Sequence, residues 1–162
     1  MATAAMGRNA AAGGGFARAL AVGLAGSGTV TLLNELGRRT LRDAPRADVL
    51  GKRGVRAVAR RLGKRPGERE TYLLALAGEV VSNTLYYAIA AGARRPLLAG
   101  ALLGAAAGAG AVVLPERLGL GRRPTRRTRE TAVLSAGWYL AAGLASGIAA
   151  RWLRASALAR PR

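Results

Sequence analysis

Charged residues are missing from four long stretches of this chain, and that gap constrains the fold more than any other feature. Ala19 to Asn34 carries no charge, Thr71 to Ala93 carries only Glu79, and Pro96 to Pro115 and Thr131 to Ala150 carry none. Each stretch runs about 16–23 residues, and a helix rising 1.5 Å per residue needs roughly 20 to cross about 30 Å of hydrocarbon. Helices of a soluble bundle would show a polar face at helical spacing. These stretches are apolar all round. The pattern predicts an all-α polytopic membrane protein with four transmembrane helices, arranged as two tandem helical hairpins.

The spans are placed at about 16–36, 71–93, 96–115 and 131–150, within a transmembrane domain covering 16–153. The first begins at Phe16 if Arg18 snorkels to the interface. Only Arg94 and Arg95 separate the second and third, so these two are expected to enter as a tight hairpin. Residues 1–15 are rich in Ala and Gly and read as a disordered tail; 154–162 read as a basic tail. A cleavable leader is disfavoured, because the first apolar run continues through Val30 to Leu33.

The chain also reads as a doubled unit. Ala25-Gly26-Ser27-Gly28-Thr29-Val30-Thr31-Leu32 matches Ala107-Gly108-Ala109-Gly110-Ala111-Val112-Val113-Leu114, and the same offset aligns Leu36-Gly37 with Leu118-Gly119. Arg69-Glu70-Thr71 opens the second span and Arg129-Glu130-Thr131 the fourth. Spans one and three therefore correspond, as do two and four. Both connecting loops, 37–70 and 116–130, then fall on one side of the membrane. They hold 18 of the 26 Lys and Arg residues, against 8 Asp and Glu in the whole chain. Positive loops stay in the cytoplasm. The expected setting is the inner (plasma) membrane, with both loops cytoplasmic and both termini outside.

The net charge of +18 invites a nucleic-acid reading. The loops argue against it, since Tyr72 at their edge is the one aromatic there for base stacking. Instead, loop 37–70 encodes a short basic amphipathic helix for the membrane interface. Asp48 suits its N-cap, Gly63 and Pro66 its stop, and Val55, Val58, Ala59 and Leu62 form one apolar stripe. Lys52, Arg53, Arg56, Arg60 and Arg61 occupy much of the remaining surface and are the candidate contacts to anionic lipid headgroups. The expected partners are thus the bilayer and its anionic headgroups, with no nucleic acid.

Glu79 is the most informative single residue. It sits about 12 Å into its span, where an ionised carboxylate is costly unless paired, hydrogen-bonded or hydrated. Asn83, Tyr86 and Tyr87 follow on the same helix and complete a polar stripe, with Ser27 and Thr31 as partners from the first span. One reading is a proton or substrate site; the other is interhelical hydrogen-bonded glue. The fourth span has no matching acid, and Trp138 stands in the corresponding region. Glu35 is read as an interfacial partner of Arg38 or Arg39.

Small residues recur every fourth position. Ala19, Gly23, Ser27 and Thr31 do so in the first span, Gly100, Gly104 and Gly108 in the third, and Gly143 and Gly147 in the fourth. Such faces let helix backbones approach closely, within one chain or between subunits. Phe16, Tyr72 and Trp152 near the span ends suit interfacial anchoring.

The chain contains no Cys and no His. That removes thiolate chemistry, the commonest metal ligand and the usual acid–base side chain near neutrality. No catalytic constellation, metal site or cofactor is expected, and the chain is read as a non-enzyme.

The small-residue spans, Leu-Pro-Glu-Arg-Leu-Gly-Leu at 114–120 and Glu-Val-Val-Ser-Asn-Thr-Leu-Tyr-Tyr at 79–87 resemble those of small four-helix proteins of the bacterial inner membrane. The resemblance covers residues 16–153 and implies membrane residence but no reaction. The expected function is an accessory or scaffold protein, assembling with copies of itself or another membrane protein through its small-residue faces. The alternative is a small transporter or channel using Glu79.

Overall fold

A computed structural model describes the backbone of residues 2–158 and the side chains of residues 13–157. Six α-helices follow in order among these residues: α1 (Ala2–Thr40), α2 (Ala47–Arg61), α3 (Glu68–Ala88), α4 (Pro96–Arg117), α5 (Arg123–Arg126) and α6 (Arg129–Leu158). A 3-10 turn, Ile89–Gly92, continues α3. Four helical stretches are long and apolar enough to cross a membrane: Gly13–Thr40, Glu68–Gly92, Pro96–Arg117 and Arg129–Ala157. The fold class read from the sequence is therefore the observed one.

Two boundaries differ. Helix α1 is assigned from Ala2, where the sequence predicts a disordered tail to residue 15; alanine has the strongest intrinsic helix preference, and this segment is rich in it. Helix α6 continues into the basic tail as far as Leu158. Residues 159–162 of that tail, and the side chain of Arg8, lie outside the described residues.

The sequence predicts tight pairing of the second and third spans, and the packing corrects it. Helices α3 and α4 barely touch. The main contacts are α1 with α3, α1 with α6 and α4 with α6, which gives a spatial order α3–α1–α6–α4. The two hairpins are those closed by the basic loops, and they stand side by side in tandem. The 3-10 turn carries the chain between them across one end of the central pair. There Ala90 and Ala91 are buried against Val22 of α1 and Ala150 of α6. Arg154 secures this crossing by donating to the carbonyl of Ala93 at 2.8 Å.

Glycine explains why α4 and α6 pack most closely. Gly100, Gly104 and Gly108 are buried on α4. A Cβ built on Gly104 would lie 2.7 Å from the Tyr139 carbonyl oxygen, and one on Gly108 would lie 2.8 Å from that of Ala136. On the facing helix, a Cβ on Gly147 would lie 2.7 Å from the Pro96 oxygen and one on Gly143 the same distance from the Gly104 Cα. Backbone meets backbone along this antiparallel seam. Gly23 of α1 likewise faces the backbone of Thr84 on α3. These small-residue faces are consumed inside the chain.

Side-chain sizes are distributed inside out relative to a water-soluble bundle. Buried positions are dominated by Ala, Ser and Thr, whereas Leu24, Leu32, Leu73, Val81, Leu85, Leu102 and Ile148 are exposed. Such a large apolar surface fits lipid, not water. Phe16, Tyr72 and Trp152 are also exposed near span ends. The chain is a multi-pass membrane protein.

The basic loops dock on each other despite their shared charge. The Arg46 N–H donates to the Pro124 carbonyl at 2.7 Å, and Arg53 donates to the Leu120 carbonyl at 2.6 Å. Arg127 reaches back to the Arg42 carbonyl and to Asp43, both at 2.9 Å. Backbone carbonyls and a single acid thus absorb donors that would otherwise repel.

The repeat is visible at the helix starts: Thr71 and Thr131 are both buried in the first turn of their helices. It is not visible at the pair Gly37 and Gly119. Gly119 takes φ +70° and ends α4. Gly37 remains within α1, where the ring of Trp138 packs against it.

Candidate functional site

Helix α2 creates the site by folding back against the first turns of α3. A Cβ on Gly51 would lie 3.1 Å from the Cβ of Ala75, so α2 sits close on α3 at that level. Glu68 at the start of α3 holds the helix in place: Lys52 donates to it at 2.7 Å, and Arg56 pairs with its other oxygen. The Lys52 ammonium also lies 5.5 Å from the centre of the Tyr72 ring, a cation–π contact.

The expected N-cap role of Asp48 is corrected. Arg46 occupies the N-cap position, and Asp48 lies inside the first turn. Pro45 just upstream of Arg46 directs the chain into α2, and the Asp48 carboxylate binds the Arg46 guanidinium at 3.1 and 3.2 Å. Burial pushes this carboxyl up, but the Arg46 hydrogen bonds and charge outweigh it and leave it below its ordinary value. The stop at Gly63 is as predicted. Gly63 adopts φ +69°, and the N–H of Lys64 reaches the Ala59 carbonyl at 2.8 Å.

Between α1, α2 and α3 lies a cavity of about 250 Å³. Helix α1 contributes Thr31, Asn34, Glu35 and Arg38. Asp48 and Gly51 come from α2, and Tyr72, Ala75, Leu76 and Glu79 from α3. Three of the chain's 8 acidic residues converge here, in a protein of net charge +18.

Their pairing differs. Glu35 is held by Arg38 at 2.8 Å and by Arg39 at 2.6 Å, as the helical spacing predicts. Asp48 is held by Arg46. The Glu79 carboxylate has no ion-pair partner among the described residues. The buried Thr31 Oγ1 in the same wall also lacks a hydrogen-bond partner. The cavity thus presents one unpaired carboxylate at its membrane end, and two neutralised ones nearer the loops. Such a lining favours a proton or a cation over an anion.

The predicted polar stripe divides in two. Glu79 and Thr31 face the cavity together. Ser27, Tyr86 and Tyr87 serve helix packing instead. Ser27 donates to the Val80 carbonyl at 3.2 Å, Tyr86 to that of Leu103 at 2.9 Å and Tyr87 to that of Tyr139 at 3.0 Å. Asn83 is half-buried and does not line the cavity.

Of the five cations proposed for lipid headgroups, Lys52 and Arg56 pair with Glu68, and Arg53 is engaged by Leu120. Arg60 and Arg61 are exposed.

Sequence reasoning missed Asp48, Asn34 and Arg38 as cavity residues. A signal existed for Asp48. It lies seven residues before Val55, so the apolar stripe of α2 extended toward the N-terminus brings Asp48 and Gly51 onto the face that meets α3.

Among the described residues, no three His, Cys, Asp or Glu side chains are placed so that they could hold a metal ion together. No family model, curated protein or solved structure matches this chain.

Proposed function

We propose that this is a non-enzymatic, multi-pass protein of a bacterial inner membrane that takes up a proton or a small cation at Glu79, as a small transporter does. The observation that carries this reading is the unpaired Glu79 carboxylate lining a cavity between α1, α2 and α3. A carboxylate within a span costs at least roughly 2–3 kcal/mol when left unpaired. Its presence beside a cavity supports use by a ligand.

Access is from the side of the basic loops. The surplus of positive charge there supports a cytoplasmic location for those loops, with both termini on the far side. The scaffold reading loses its main support, because the glycine faces meant to recruit a partner are occupied by α4 and α6 themselves.

The test uses the purified protein in liposomes. Dicyclohexylcarbodiimide, a lipid-soluble reagent that attacks protonated carboxyl groups, should modify Glu79, as located by mass spectrometry of the peptide. Proton entry under an imposed potassium diffusion potential should exceed that of empty liposomes and fall to their level in Glu79→Gln. A wild-type protein that neither reacts at Glu79 nor admits protons would refute the proton form of this reading.

A further inference from the structure

A second concavity lies between the C-terminal part of α2 and the first turns of α3, and shares no lining residue with the Glu79 cavity. Its walls are Val55, Val58 and Leu62 of α2 and Leu74 of α3. Val58 is 59% and Leu62 68% exposed, and Leu74 is exposed beside Leu73 on the outer face of α3. The groove is therefore continuous with the apolar surface that α3 turns to the bilayer. The left-handed turn at Gly63 then reverses the chain and brings Lys64 and Arg65 to the rim. Neither forms an ion pair among the described residues.

From this geometry we infer that the groove between α2 and α3 binds one anionic glycerophospholipid, with an acyl chain along Val58, Leu62 and Leu74 and the phosphate at Lys64 and Arg65. The charge arrangement chooses the lipid. Two cations standing over an apolar wall complement an anionic headgroup joined to a hydrocarbon tail, and a zwitterionic headgroup would bring an extra cation to the same rim. Glu70 also lines the groove, and its carboxylate can accept hydrogen bonds from the hydroxyls of a polyol headgroup. The assignment moves headgroup recognition away from Lys52, Arg53 and Arg56, whose donors are engaged within the chain. It is independent of Glu79, which faces the other cavity.

Native mass spectrometry of the detergent-solubilised protein, titrated with phosphatidylglycerol or phosphatidylcholine of equal chain length, tests the inference. Wild-type protein should retain phosphatidylglycerol preferentially. Lys64→Gln with Arg65→Gln should weaken that retention by about five-fold per cation removed, and Leu62→Ser should weaken binding of both lipids. Arg94→Gln with Arg95→Gln, in the exposed turn between the hairpins, should leave the preference intact. Equal retention of the two lipids by wild type would overturn the inference. So would a preference unaffected by the change at 64 and 65, or one lost equally in the 94 and 95 variant.

Discussion

The hydroxyl of Tyr87 on α3 donates a 3.0 Å hydrogen bond to the backbone carbonyl of Tyr139 on α6. These two helices otherwise scarcely meet, because α1 stands between them. Tyr87 is fully buried, packed with Val30, Trp138 and Ala142 at the centre of the bundle. One side chain thus reaches past α1 and ties the first hairpin to the second.

Tyr87→Phe removes that tie and keeps the ring. Interhelical hydrogen bonds in membranes contribute about 0.6–2 kcal/mol, so Tyr87→Phe should lower stability by that amount in detergent unfolding. Unchanged stability would mean that the ring of Tyr87, and not its hydroxyl, makes this residue's contribution.

Glycine positions separate close packing from mere composition. A Cβ at Gly104 would meet the Tyr139 oxygen at 2.7 Å and the Leu140 Cα at 2.8 Å, whereas a Cβ at Gly28 would meet nothing within 4 Å. Gly104→Ala should force α4 and α6 apart and destabilise by about 1–3 kcal/mol. Gly28→Ala should be neutral, or stabilising by about 0.5–1 kcal/mol through helix preference. The pair is measured side by side in the same unfolding assay. Equal effects would contradict the α4–α6 seam.

The four spans and the amphipathic α2 were legible because each rests on a local pattern: uncharged runs of membrane length, and an apolar stripe at helical spacing. Gly63 was legible as a stop for the same reason. The row order α3–α1–α6–α4 was not, since sequence proximity of the second and third spans favours the hairpin that the 3-10 turn avoids. The site was half legible. Glu79 stands out in any reading of an uncharged span. Asp48 and Arg38, which line the same cavity, come from α2 and the loop end of α1; the docking of α2 through Glu68 brings in the first, and the packing of α1 on α3 the second. Tyr86 and Tyr87 share the helix of Glu79 but point to carbonyls of α4 and α6. Helical spacing places residues along a face without saying which neighbour that face meets.

The most direct test of the central claim is the water accessibility of position 79. The chain has no cysteine, so Glu79→Cys gives a single thiol, and methanethiosulfonate reagents that cannot cross membranes report access because they react with hydrated thiolates. Val81→Cys and Leu85→Cys, on the exposed apolar face of α3, are the lipid-facing controls. In sealed vesicles of defined orientation, the thiol at 79 should react from the side of the basic loops while those at 81 and 85 stay inert. A thiol at 79 as inert as the controls, or one reached only from the opposite side, would contradict the account.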